Sequence, residues 1–479
     1  MGESFVVTVK KEEVVAAALP MQDHWLPLSN LDLLLPPVDV GVFFCYTNTT
    51  TIITTTTGTV TTEPPALVRP LKEALAQALV SFYALAGEMV TNTAGEPELH
   101  CNNRGVGFAE AAADVELRCL NLYNPDECVE GKLVPTKKHG VLAVQVTFLK
   151  CGGLVVGCTF DHRIADAYSA NMFLVSWAEM ARPTKPTITT FPSQAQPCFR
   201  RSLLSPRRPG YIHSSLHDMY IPYSNLPPTK KHGPEPEFNL FISRIYYVKF
   251  EELNHIQSLA NSESNVDVNG VKRTKLESFC AFLWKMIATS AKGKKVITRM
   301  GIVVDGRKRL YNDNDKKKAL MGSYFGNVLS VPFGGKPVKE LTENSLSWVA
   351  SEVHMFLETA VTKEHFLGLI DWVEAHRPSA GLARIYCGGG GEEDDGSAFV
   401  VSSGQRFPES KIDFGWGKPV FGSYHFPWGG DAGYVMPMPS PVGKGDWVVY
   451  MHLQKGQLEK IEYECGHVFK PLTWEYLKA

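Results

Sequence analysis

No hydrophobic run in this chain is long enough to cross a bilayer, which excludes a membrane-spanning α-helix. Nor is there an excess of one charge: 48 Lys and Arg stand against 50 Asp and Glu, for a net charge of -2. A nucleic-acid or membrane-surface partner, which calls for a basic face, is therefore not expected. Ten cysteines are present, but none pairs with another at two-residue spacing and no His pair accompanies them at zinc-ligand spacing. Reduced, mostly buried thiols and no metal site are the expectation. Missing too are a Gly-x-Ser-x-Gly elbow, a Walker loop and a G-x-G-x-x-G dinucleotide turn. Residues 1–14 lack the charged, apolar and small-residue succession of a signal peptide. Val6 stands where myristoylation after Gly2 needs Ser or Thr, and the final Leu477-Lys478-Ala479 is neither a prenylation box nor a peroxisomal tripeptide. These absences predict a cytoplasmic protein.

At 479 residues the chain exceeds what one hydrophobic core accommodates, so two domains are expected. The periodicities place them at 1–185 and 238–479. Between them, 186–237 is rich in Pro, Ser and Arg and reads as a crossover. Residues 70–83 read as a helix with Pro70 in its first turn and Leu71, Leu75, Ala78, Leu79 and Phe82 on one face. Leu142, Val144, Val146 and Phe148 alternate as in a half-buried strand. A turn at 150–153 leads to the continuous apolar run 154–160, so the two strands form a hairpin. Thr274 and Glu277 form a capping box ahead of an apolar stripe, Leu276, Phe279, Cys280, Leu283, Trp284 and Ile287. Further strands are expected at 302–304, 398–402 and 447–452. The Thr-rich segment 47–65 and the Gly-then-acidic segment 388–396 read as flexible insertions.

The buried strand ends in Asp161-His162-Arg163, and a helix opens at Asp166, a suitable cap, with Ala170, Phe173, Leu174, Trp177 and Met180 as its stripe. His162 is the one histidine of 14 followed by Asp four positions later. That spacing alone is close to chance. Its place at a corner between strand and helix is where α/β proteins tend to set chemistry. A neutral imidazole there, with an ordinary pKa of about 6.5, suits a general base near neutral pH. The alternative is a His that merely bonds backbone, with Asp166 only capping the helix. Downstream, Asp413-Phe414-Gly415-Trp416-Gly417 sets two glycines around large aromatics, the makings of a tight turn pinned by a carboxylate.

His162-x-x-x-Asp166 followed by the 413–417 block resembles the plant BAHD acyltransferase family. So do Leu28-Ser29-Asn30-Leu31-Asp32, residues 82–87 and Tyr324-Phe325-Gly326-Asn327, and the resemblance runs over essentially the whole chain. It implies an α/β fold of two similar chloramphenicol-acetyltransferase-like domains with mixed sheets and a channel between them. His162 and Asp166 are then the catalytic-motif residues. Asp166 is expected to turn from the substrate and pair with Arg307, and Asp413, Gly415, Trp416 and Gly417 to be structural support. The implied reaction is direct transfer from an acyl-CoA, bound as co-substrate rather than as a permanent cofactor, to a small-molecule alcohol, by a monomer. For the polyanionic CoA the sequence offers Lys272, Arg273, Thr274 and Lys275 at a helix start, where N–H groups and dipole favour phosphate, and Ser402 and Ser403.

A narrower resemblance concerns substrate. Val401-Ser402-Ser403-Gly404-Gln405-Arg406 carries Gly404 where many family members have Trp; with Phe421-Gly422-Ser423-Tyr424 and the 167–171 helix start, it is similar to coniferyl alcohol acyltransferases. Loss of the Trp is expected to widen the channel. That resemblance implies acetyl-CoA and a phenylpropanoid alcohol. A hydroxycinnamoyl-CoA transferase acting on quinate or shikimate is the rival enzyme, and it needs a cation at the acceptor mouth. A non-catalytic relative acting as an accessory protein, and a metal-dependent hydrolase, are the rivals of other kinds.

Overall fold

A computed structural model describes residues 4–47, 53–55, 58–60, 64–182, 196–226, 237–262, 272–291, 293, 296–311, 316–387 and 396–478. Two mixed sheets carry the architecture. The first runs Val7–Val15, Val106–Ala113, Leu142–Leu149, Leu154–Asp161, Asp39–Tyr46, Phe421–His425. The second runs Phe333–Pro337, Ile297–Ile302, Ala398–Val401, Ala432–Pro439, Trp447–Gln454, Phe241–Val248, Lys470–Pro471. The strand Phe421–His425 departs from chain order: it leaves the C-terminal half to pair antiparallel with Asp39–Tyr46, and the chain then returns to the second sheet at Ala432. That crossing stitches the two halves together beside the site described below.

Leu142–Leu149 and Leu154–Asp161 form the expected antiparallel hairpin, closed by Leu149 and Gly153 and turned at Gly152, whose φ of 78° suits glycine. Leu142–Leu149 is buried on both faces rather than one, because its far edge pairs in parallel with Val106–Ala113 and the 129–134 segment covers its polar side. Gln145 meets that burial by donating to the Lys132 carbonyl at 2.6 Å and to Thr147 Oγ1 at 2.9 Å.

Two helices pack on this sheet. Ala167–Ala181 buries Ala170, Phe173, Leu174 and Trp177, and Trp177 Nε1–H donates to the Leu71 carbonyl of the helix Pro64–Ser81 at 2.9 Å. The latter begins before the predicted residue 70, at Pro64, which places Pro70 inside the helix. Lys275–Ser290 starts on the anticipated capping box, with Thr274 and Glu277 each satisfying the other's backbone N–H. It covers the second sheet with Phe279, Leu283, Trp284 and Ile287.

The expected crossover is ordered where it is described: Ser215–Met219 is a helical turn, and Tyr220–Pro222 pairs with Gly381–Ala383. Residues 183–195 and 227–236 lie outside the described residues, as does most of 388–396. Within the Thr-rich tract, Ile53–Thr55 and Gly58–Val60 pair with each other rather than with either sheet.

Candidate active site

Where Leu154–Asp161 leaves its sheet, a tight turn holds His162 in place. His162 N–H donates to the Val38 carbonyl at 3.0 Å, Ile164 N–H to the Asp161 carbonyl at 3.1 Å, and the Arg163 guanidinium grips Asp161 at 2.6 and 2.9 Å. The imidazole faces a cavity of about 920 Å³ lined from both halves of the chain. Its edge meets the Phe426 ring, with centroids 6.0 Å apart and planes at 69°. Burial holds the imidazole below its ordinary value, and the nearby Asp166 and Asp161 carboxylates and Asn327 amide only partly offset this. A neutral ring poised to accept a proton is the result.

Asp166 does not touch that ring. Its Oδ1 caps the helix by accepting from Ser169 N–H at 2.9 Å, and the Arg307 guanidinium grips both oxygens, at 2.7 and 3.1 Å. Val328 N–H adds a third donor at 3.2 Å. Arg307 is itself buried and also donates to the Gly326 carbonyl at 2.8 Å and to Ser169 Oγ at 3.1 Å, with the Tyr168 ring 4.5 Å away. This pair thus ties the helix after the His turn to the loop 322–331 of the other half.

Asn327 was not singled out by sequence beyond the motif containing it, yet it organises the turn. Its Nδ2 lies 2.9 Å from the His162 carbonyl, 3.2 Å from that of Arg163 and 3.0 Å from Asp32 Oδ1. Asp32 in turn accepts from Asn327 N–H at 2.7 Å and from Ser29 Oγ–H at 2.7 Å. The segments 28–32 and 324–327 therefore meet beneath the His turn. With Nδ2 so engaged, Asn327 Oδ1 is left without a hydrogen-bond partner, as is His162 Nδ1, and both are buried. Burial of Nδ1 leaves Nε2 as the ring nitrogen open to the cavity.

Among the described residues six cations line the cavity: Lys272, Arg307, Lys308, Arg309, Arg406 and Lys411. They belong to three segments, near 272, 307–309 and 406–411. Arg307 is committed to Asp166, while Arg309 and Arg406 gather around Asp305, the former on its carbonyl and the latter 3.7 Å from its carboxylate. The segments nearer Val38 and Phe426 bring Leu34, Pro36, Tyr220, Tyr386 and Trp428, and none of these lining residues is Lys or Arg. Arg384, two residues before Tyr386, is exposed and donates outward to the His217 carbonyl at 2.9 Å.

A family model described as the Transferase family matches residues 5–468. The chain belongs to that family and is a BAHD acyltransferase. It is 28% identical to shikimate O-hydroxycinnamoyltransferase of Nicotiana tabacum, over 95% of this chain and 98% of that protein. To putrescine hydroxycinnamoyltransferase 1 of Oryza sativa subsp. japonica the identity is 26%, over 87% and 88%. Among solved structures, vinorine synthase superposes with a TM-score of 0.64 at 19% identity, covering 97% of this chain and 98% of that one. TRI101 of F. sporotrichioides, complexed with coenzyme A and T-2, gives 0.69 at 15% identity, covering 93% and 99%. These structures establish the two-domain fold of the acyltransferase.

Of the residues expected to meet CoA, Lys272, Thr274, Ser402 and Ser403 line the cavity of the acyltransferase. Arg273 and Lys275 do not: Arg273 is buried behind the helix start, reaching Ser351 Oγ at 3.3 Å, and Lys275 sits over the Phe250 ring at 4.0 Å. The helix start itself already holds an anion, since Glu277 accepts from Thr274 at 2.6 and 2.7 Å and from His354 at 2.6 Å. The positive rim instead comes from Lys308, Arg309, Arg406 and Lys411, which sequence proximity does not reveal as one group. Gly404 leaves no open space: a Cβ there would stand 2.5 Å from Met438 Cγ and 2.9 Å from Met436 Cγ, so thioether side chains occupy what the missing Trp was expected to vacate.

The 413–417 turn lies off the cavity. Asp413 Oδ1 accepts from Gly415 N–H at 2.8 Å and Gly417 N–H at 3.0 Å, with both glycines at positive φ, 102° and 93°. Trp416 packs edge-on to Tyr46, centroids 5.5 Å apart, and Phe414 to Trp177, 4.8 Å apart. The turn thereby fastens the start of the crossing strand onto the first sheet.

Proposed function

We propose that this acyltransferase moves an acyl group, acetyl in the first instance, from CoA to the hydroxyl of a phenylpropanoid alcohol such as coniferyl alcohol, with His162 as general base. The observation that carries it is the setting of His162: a half-buried imidazole, held neutral, in a cavity whose wall has a cation-bearing stretch and an aromatic one. Phosphates suit the first and a planar, uncharged ring the second. Both substrates bind before reaction. Nε2 takes the proton of the acceptor hydroxyl as its oxygen attacks the thioester carbonyl, forming the new C–O bond. Collapse of the tetrahedral intermediate breaks the C–S bond, and the imidazolium returns the proton to the departing thiolate. A base so placed contributes roughly a hundred- to ten-thousandfold.

A hydroxycinnamoyl donor is the second reading. The names of the relatives favour it, and so does the cavity of about 920 Å³, near the upper end of ligand sites. The name of the tobacco relative brings shikimate as a rival acceptor, with quinate, expected from the sequence, beside it. The absence of Lys and Arg from the described residues lining the aromatic stretch favours an uncharged acceptor over either acid. Purified protein incubated with acetyl-CoA or a hydroxycinnamoyl-CoA, against coniferyl alcohol, quinate and shikimate, reports by release of free thiol. Release with acetyl-CoA and coniferyl alcohol supports the proposal. Release only with a hydroxycinnamoyl-CoA and an acid acceptor overturns the substrate pair.

A further inference from the structure

Five tyrosines line the cavity, and their hydroxyls are not alike. Tyr168 donates to the Gly322 carbonyl at 2.6 Å. Tyr220 pairs with Ser330 Oγ at 2.9 Å and accepts from Val331 N–H at 3.1 Å. Tyr424 donates to Asn171 Oδ1 at 2.8 Å, and the Tyr434 hydroxyl lies near the Ser402 side chain. The Tyr386 hydroxyl has no hydrogen-bond partner among the described residues; what surrounds it is burial and the phenols of Tyr434 and Tyr220. Tyr386 lines a largely apolar cavity, and its hydroxyl, not bonded to any described group, is free to bond a ligand there.

Beside it stands a fixed aromatic plane. Trp428 meets Tyr386 edge-on, centroids 5.0 Å apart and planes at 69°. Its Nε1–H donates to the Ala432 carbonyl at 2.9 Å. The indole is folded over Gly430, where a Cβ would stand 1.9 Å from Trp428 Cη2; only glycine leaves room for it. From the base outward the wall runs His162, Phe426 at 6.0 Å, Tyr434 a further 5.0 Å on, then the neighbouring Tyr386. Among the described residues His162 is in ring contact with Phe426 and Tyr386 with Trp428, and no ring contact joins Tyr386 to His162 directly. An alcohol whose reacting oxygen sits at His162 brings the far side of its own ring, not its reacting end, to Tyr386.

We propose that Tyr386 selects the acceptor, its hydroxyl donating to an oxygen substituent on the far side of the alcohol's aromatic ring while Trp428 packs against that ring. This rests on the aryl-alcohol reading given above. Burial raises the Tyr386 phenol above its usual range, so the hydroxyl keeps its proton and acts as a donor throughout the neutral range.

The test compares coniferyl alcohol, which carries ring oxygens, with cinnamyl alcohol, which has none, in the wild type and in Tyr386→Phe. The substitution should lower kcat/KM for coniferyl alcohol by roughly tenfold, the worth of one hydrogen bond. It should leave cinnamyl alcohol unchanged, and the preference between the two should collapse. The thermal transition should not move, because the hydroxyl bonds no described protein group. Equal losses on both alcohols, or an undiminished preference in the variant, would overturn the assignment while leaving the reaction standing. A wild type that transfers to neither alcohol would overturn the reaction itself and the assignment with it.

Discussion

Removing the Asp166 carboxylate should damage the fold far more than the chemistry. Asp166→Ala deletes a bidentate partner from Arg307, both groups being almost fully buried, and stabilities fall by about 3–5 kcal/mol when one member of such a pair is left uncompensated. The lost helix cap adds about 1 kcal/mol. Part of this is recovered, because Arg307 keeps Asp305 Oδ1 at 3.2 Å and the Gly326 carbonyl at 2.8 Å, so a total of about 3–5 kcal/mol is expected. Asp166→Asn retains the shape and an oxygen for Ser169 and should cost about 2 kcal/mol. Urea unfolding followed by tryptophan fluorescence reads the loss as a shifted midpoint at constant slope. Because both carboxylate oxygens face Arg307 and not the imidazole, Asp166→Asn below its transition should keep turnover within about tenfold. An Asp166→Asn protein as stable as the wild type would refute the buried-pair argument. One that is well folded but inert would show that the carboxylate takes part in the chemistry.

Two further expectations concern the His turn. Asn327→Ala removes the amide that ties Asp32 to the His162 and Arg163 carbonyls, so kcat should fall about ten- to a hundredfold with KM for acyl-CoA little changed; a rise in KM at constant kcat would assign Asn327 to binding instead. Burial lowers the His162 pKa, so the neutral base persists as pH falls through the ordinary value: the acid limb of kcat/KM should lie below about 6.5, and a limb above it would contradict the burial argument.

How much of this was legible in the letters varies with the range of the interaction. The hairpin 142–160, the Asp166 cap and the Thr274–Glu277 capping box depend on neighbours within a few residues, and periodicity with capping chemistry found all three. The Asp166–Arg307 pair spans 141 positions; only the family resemblance pointed to it. Asn327 and Asp32 lie 295 positions apart, and nothing local marks an Asn whose amide must serve several acceptors at once. The crossing of Phe421–His425 into the first sheet was hidden for a related reason: a short, fully buried strand reads alike in either sheet, and its partner is set by tertiary packing. The basic cluster at 272–275 shows the converse. Arg273 and Lys275 are adjacent to Lys272 and Thr274 in sequence but point elsewhere once the helix forms, whereas Lys308, Arg309 and Arg406 converge from separate strand ends.

The central claim is that His162 removes the acceptor's proton, and it is tested most directly by following thiol release from acetyl-CoA with coniferyl alcohol in the wild type and in His162→Ala, alongside calorimetric binding of CoA. The account predicts a fall in turnover of roughly a hundred- to ten-thousandfold with CoA affinity and the thermal transition unchanged. Turnover in His162→Ala at the wild-type rate would contradict it.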